Sequence, residues 1–166
     1  MNKVMQVVGR AQQALEAAAF AEEGDRSSAK DLLQEHRRVL LALRGLEGDA
    51  RTMTYALNTC RRVGAGLDVL CVADRALPEG DLRHKLAPFL ASVAEAGIPC
   101  RATSVAGCIK EQIIRYTEAH PEVSFVVVES AGVLERGCGA DDARRLSRLW
   151  NRLARPLVVV SDPARA

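Results

Sequence analysis

Aromatic side chains are scarce in this chain: three phenylalanines, two tyrosines and one tryptophan in 166 residues. So thin a set offers no platform on which successive bases of a nucleic acid strand would stack. Charge of one sign is also missing, because 23 Lys and Arg face 21 Asp and Glu for a net +2, which argues against both nucleic acid and an anionic membrane as partners. No apolar run approaches the ~18 residues of a membrane-spanning helix. Near the start, Gln6, Arg10, Gln12 and Gln13 interrupt any signal-peptide core, so a cytoplasmic protein is expected. GxSxG, HExxH and the Walker pattern GxxxxGK are all absent, which leaves no sequence signal for a hydrolase or kinase. A non-enzymatic protein is expected.

Cysteine is present but poorly arranged for the usual uses. Five cysteines are an odd number, and none lies in a CxxC spacing, which speaks against a disulfide framework and a zinc knuckle. Cys60 and Cys71 fall on apolar positions and read as small core residues. Cys108 follows Gly107 at an expected helix start, and Cys138 sits between Gly137 and Gly139 in an expected loop. A helix N-terminus lowers a thiol pKa, so these two are the candidate redox pair, with inert thiols as the simpler reading. His36, His84 and His120 fall on three separate elements without metal-ligand spacing, and no metal is expected.

Alternating strand and helix signals dominate what remains. Phe125-Val126-Val127-Val128 is a β-branched run without alternation, the pattern of a strand buried on both faces at the centre of a parallel sheet. Four further strands are expected at Val39–Leu43, Leu67–Ala73, Pro99–Val105 and Leu157–Val160, the third polar enough for a sheet edge. Between them, Asp49 caps a helix through Val63 that Gly64 ends. Leu82 to Val93 marks a second helix, in which Pro88 predicts a kink or a delayed start. Ile109, Ile113 and Tyr116 mark a third, and Leu146, Leu149, Trp150 and Leu153 a fourth. The outer face of that fourth helix carries Arg144, Arg145, Arg148, Arg152 and Arg155, which reads as a solvated face. A βαβαβαβαβ order predicts an α/β three-layer sandwich around a five-stranded parallel sheet.

Residues 1–36 stand apart as a helical hairpin. Val4, Val8, Ala11, Leu15 and Ala18 recur at spacings of four and three, Gly24-Asp25 breaks the pattern, and Leu32 and Leu33 resume it. One helix pair cannot bury its own stripe, so it must dock on the main domain, 38–162, or on another subunit.

The ordered set RVLLALRG, TYALNTCRRVGAGLDVL, AGIPCRATSVAGCIKEQII, a fourth strand with a glycine-bearing loop, and RPLVVVSD resembles a universal stress protein domain over Arg38 to Asp162. The resemblance implies the strand order 3-2-1-4-5 and a homodimer through the last strand, Leu157 to Val160, with the hairpin as a possible second contact. It further implies a cleft at the carboxyl ends of the strands, lined by Arg44, Gly45, Val72, Gly107, Glu129, Ser130, Gly132, Arg136, Gly137 and Gly139. Family members that bind ATP carry an aspartate where this chain has Arg44. They also carry a G-x2-G-x9-G-(S/T) loop, where this chain has Glu129, Gly132, Asp142 and Ala143. Two carboxylates on that loop would repel a triphosphate, so no cofactor is expected and a regulatory module with an unidentified protein partner is the leading expectation. Arg44 and Glu129 are expected to pair across the vacated cleft. The alternative is an ATP or AMP sensor, with Mg2+, that uses Gly137 and Gly139 in a shifted register with Arg136 as counter-charge; a thiol redox sensor at Cys108 and Cys138 is a third reading.

Overall fold

The computed structural model describes residues 37–46, 48–130, 133–134, 151, 153 and 155–160. Five parallel strands, β1 (Arg38–Arg44), β2 (Gly66–Ala73), β3 (Cys100–Ala106), β4 (Val123–Val128) and β5 (Leu157–Val159), form one sheet in the order β3-β2-β1-β4-β5. The expected α/β architecture and strand order are therefore those observed. Parallel neighbours require long crossovers. Helices α1 (Ala50–Val63), α2 (Glu79–Lys85), α3 (Ala87–Glu95) and α4 (Ile109–Ala119) supply the first three. The hairpin expected over residues 1–36, the glycine loop and most of the expected fourth helix lie outside the described residues.

Strand alternation sorts the core into two layers. Val39, Leu41 and Leu43 of β1, with Leu67, Val69 and Cys71 of β2, face Ala56 and Cys60 of α1 and Leu82, Leu86 and Val93 of α2–α3. Leu40, Ala42, Leu70 and Val72 face the other way, with Val126 and Val128 of β4, onto Ile109 and Ile113 of α4. Hence β1 rather than β4 is the central strand: all five residues Val39 to Leu43 are fully buried, whereas Ser124 and Phe125 of β4 are only half-buried. The pairing of β1 with β4 slips at Arg38/Val39, where Ser124 is the extra residue of a bulge.

Local chemistry explains the element ends. Asp49 accepts the Arg51 N–H at 3.3 Å to start α1, and Gly64 closes it at φ 63, a left-handed conformation that suits glycine. The periodic stretch Leu82 to Val93 is two helices joined at Leu86. Pro88 lies in the first turn of α3, where its missing N–H removes no intrahelical bond.

One polar cluster is embedded in this framework. Asp68, near the start of β2 and fully buried, accepts from Arg38 Nε at 2.6 Å and from Arg101 Nε and Nη2 at 2.8 Å each. Arg101 continues to Glu122 Oε1 at 2.9 Å, which His120 Nδ1 also meets at 3.2 Å. Burial alone would push the Glu122 carboxyl up, but its own backbone N–H, Arg101 and His120 outweigh that and hold it below its ordinary 4.5. Burial, followed by the nearby Asp68 charge, pushes the Tyr116 hydroxyl up on the overlying face of α4. A Cβ at Gly66 would lie 2.5 Å from Arg38 Nη1, so glycine is what lets the guanidinium cross β2. Asp68→Ala, which strands two arginines beside the core, is expected to cost about 3 kcal/mol in urea unfolding. Arg101→Ala, which removes a side chain 44% exposed, is expected to cost clearly less in the same measurement.

Candidate functional site

Open parallel sheets bind ligands beyond the carboxyl ends of their strands, where the strand order reverses. Here that point lies between β1 and β4, and six of the ten expected cleft residues are described at this edge: Arg44, Gly45, Val72, Gly107, Glu129 and Ser130. Gly132, Arg136, Gly137 and Gly139 lie outside the described residues. Gly45 leaves β1 at φ 77, and its N–H donates to Val72 O at 2.8 Å, which turns the chain away over β2. Gly107 leaves β3 at φ 120, beside Gln112, whose Nε2 donates to Ala106 O at 2.9 Å.

Arg44 and Glu129 do not form the expected pair. Arg44 Nη2 meets Asp74 Oδ1 at 3.0 Å, and Nη1 reaches Gly107 O at 3.5 Å. Alternation gives the reason. Leu40 and Ala42 place Arg44 on the α4 face of the sheet, whereas Val127 places Glu129 on the face of α1. Two residues past Val72, Asp74 falls on the same face as Arg44 and takes the partnership. One guanidinium thus spans the exits of β1, β2 and β3. Its side chain is 23% exposed, while Asp74 is 97% exposed, so the stem is packed and the ion pair is wet.

Ser130 is engaged within its own turn. Its Oγ and its backbone carbonyl oxygen both accept from the Val133 N–H at 3.3 Å, which starts a turn that seats Val133 and Leu134 against the α4-side core. Sequence reading missed Asp74 and Asp68. Counting alternate residues from Val72 would have found the first, and a lone carboxylate inside the apolar run Leu67 to Ala73 was the signal for the second.

The cysteines divide as follows. Cys60, Cys71 and Cys100 are free thiols, and burial pushes them up to about 12, 11 and 11 respectively, so they are inert near neutral pH. Cys108, buried at the cap of α4, is disulfide-bonded. Cys138 lies outside the described residues. Among the described residues no three His, Cys, Asp or Glu side chains are placed to hold a metal, and no helix is long and apolar enough to cross a membrane.

The class defined by this sheet order is an open, doubly wound α/β sandwich with its switch point at the carboxyl ends of β1 and β4. No protein-family model matches the chain, and no curated protein matches its sequence. Solved structures do match. A universal stress protein from Burkholderia pseudomallei aligns with a TM-score of 0.54 at 18% identity, over 75% of this chain and 96% of that one. One from Archaeoglobus fulgidus aligns at 0.55 and 20% identity, over 79% of this chain and 46% of that longer one. A universal stress protein in complex with cAMP aligns at 0.53 and 15% identity, over 75% and 96%. The chain has the universal stress protein fold.

Arg44→Ala is expected to lower stability by about 1 kcal/mol, mainly through the lost packing of its stem. Asp74→Ala is expected to change it by less than about 0.5 kcal/mol. Urea midpoints of the two variants check the order; equal losses would mean that the ion pair, not the stem, does the work.

Proposed function

We propose that this protein is a regulatory or interaction module of the universal stress protein group, non-enzymatic and without ATP binding. The observation that carries this reading is the course of Arg44. The resemblance places an aspartate for the nucleotide at that position, and this chain places there a cation whose packed stem leans across the ends of β2 and β3. The loop after β4 supports it too, because Glu129, Asp142 and Ala143 stand where the family's binders use two glycines and a hydroxyl residue. Subunits pair through β5, a half-buried strand of three residues at the edge of the sheet among the described residues, where pairing would cover an association liability.

The competing reading is an adenine-nucleotide sensor, and the fold shared with a cAMP-bound protein supports it. Calorimetry of purified protein with ATP, AMP and cAMP, with and without Mg2+, together with nucleotide extraction and light scattering, separates the two. A dimer with no heat and no extracted nucleotide is expected. Saturable micromolar binding, about −8 kcal/mol, would overturn the reading in favour of a shifted glycine loop.

A third reading, a thiol redox sensor, is supported by Cys108, which is disulfide-bonded at the cap of α4 beside Gly107, and we propose Cys138 as its partner. Oxidised protein is expected to be lighter than reduced protein by two hydrogens, with the loss abolished in Cys138→Ser. A mass deficit that persists in that variant would remove the pairing.

A further inference from the structure

β3 is the edge strand beside β2, and its seven residues run without a bulge, a proline or a lysine, the usual guards of an open edge. Leu67 N–H donates to Pro99 O and Gly107 N–H to Ala73 O, so parallel alternation gives β2 the backbone groups of Arg101, Thr103 and Val105. The N–H and C=O groups of Cys100, Ala102 and Ser104 therefore point away from the sheet, and among the described residues none of them is hydrogen-bonded. Arg101, the one charged residue of the strand, has its head tied to Asp68 and Glu122 rather than presented along the edge. Beside the edge, on the α3 face, lies a groove of about 400 Å³ between Leu90, Ala94 and Ile98 and the small side chains of Cys100 and Ala102.

We infer that this edge pairs antiparallel with β3 of a second copy, about a two-fold axis at Thr103. Parity selects the register. With Thr103 opposite the partner's Thr103, Ala102 faces the partner's Ser104 and Ser104 faces the partner's Ala102. Residues with open N–H and C=O groups then meet one another, and each such pair exchanges both of its hydrogen bonds. A shift of one residue would set open groups against groups already bonded to β2. A shift of two residues keeps the bonding but leaves the strand ends without a partner.

Side chains fit the same register. On the α3 face the incoming strand brings only Cys100, Ala102, Ser104 and Ala106 to the groove, all small. On the α4 face Arg101 stands across from the partner's Val105, not from a second cation, and the exposed Thr103 meets its own copy, a favourable cross-strand pair. The strand is thus complementary to itself in backbone, size and charge, which commits the occupant to a second copy rather than an unrelated peptide. One strand edge of about 23 Å is small beside a standard interface of about 1,600 Å², so the contact is reversible and forms at high protein concentration. It lies at the opposite edge of the sheet from β5 and requires nothing of that strand.

Thr103 is exposed, so the fold tolerates its replacement. Light scattering of the full chain is expected to show a mass that rises about two-fold or more between micromolar and millimolar protein. Thr103→Lys, which sets two ammonium groups against each other on the axis, is expected to abolish the rise. Thr103→Cys supplies the positive test. Opposed residues of a pair without hydrogen bonds lie about 4.5 Å apart at Cα, within disulfide reach, so oxidised glutathione is expected to link two chains of the concentrated variant. Val105→Cys, which faces the partner's Arg101 in this register, is expected to stay unlinked. A wild-type mass that stays constant, a rise that persists in Thr103→Lys, or a failure of Thr103→Cys to link would each overturn the inference. Failure of the β5 contact alone would lower the mass of the dilute protein and leave the rise in place, so the two contacts fail separately.

Discussion

The buried carboxylate of Asp68 is the constraint on which the amino-terminal half of the sheet depends. An ionised group inside a sheet is tolerated only when cations and hydrogen bonds surround it, and here the cations come from the strands on either side. Arg38 at the start of β1 and Arg101 near the start of β3 both converge on it, so three parallel strands share one register point. Sliding β1 or β3 by one residue would turn its arginine to the opposite face and leave Asp68 bare. Glycine at position 66 and the Glu122–His120 pair in the α4–β4 turn follow from this demand. The one opens the path for Arg38, and the other supplies the outer hydrogen-bond partner for Arg101.

The opposite edge follows a weaker logic. Arg44 obeys the same alternation, but its counter-ion Asp74 is almost fully exposed, so the pair contributes about 0–1 kcal/mol. What the arginine brings to this edge is a packed stem, 23% exposed, and a head that meets Asp74 and the Gly107 carbonyl. A carboxylate at the same position would leave that space open and would place a negative charge at the ends of β2 and β3. One side chain at the end of the central strand thus sets the sign of the charge beside the ends of β2 and β3.

Much of the fold was legible in the sequence because burial and periodicity coincide. RVLLALR, GLDVLCVA and VSFVVV mark interior strands through apolar runs, Asp49 and Gly64 mark the ends of α1, and Pro88 marks the break between α2 and α3. The rank of the strands was less legible. Phe125 to Val128 is as apolar as any segment, yet Ser124 and Phe125 at the bulge are only half-buried, and the strand order gives the central place to β1. The site was legible only by position. The residues at the carboxyl ends were found, but the partnership of Arg44 was misread because strand parity, which decides the face a side chain takes, was not counted for Glu129 and Asp74.

Parity also explains why the two charged clusters remain independent although both lie on the α4 face of the same strands. Arg38 and Arg44 are six residues apart on β1, an even number, so both leave the sheet on one side at opposite ends. At strand rise that separation is about 20 Å, and Leu40 and Ala42, with α4 packed over them, fill the space between. The Asp68 carboxylate is matched by Arg38 and Arg101 in direct contact, so over that distance little of its field reaches Arg44. The amino edge can therefore be fixed by a buried network while the carboxyl edge diverges. Substitution at Arg44 therefore alters the charge at the carboxyl ends of β1, β2 and β3 without disturbing the register that Asp68 sets.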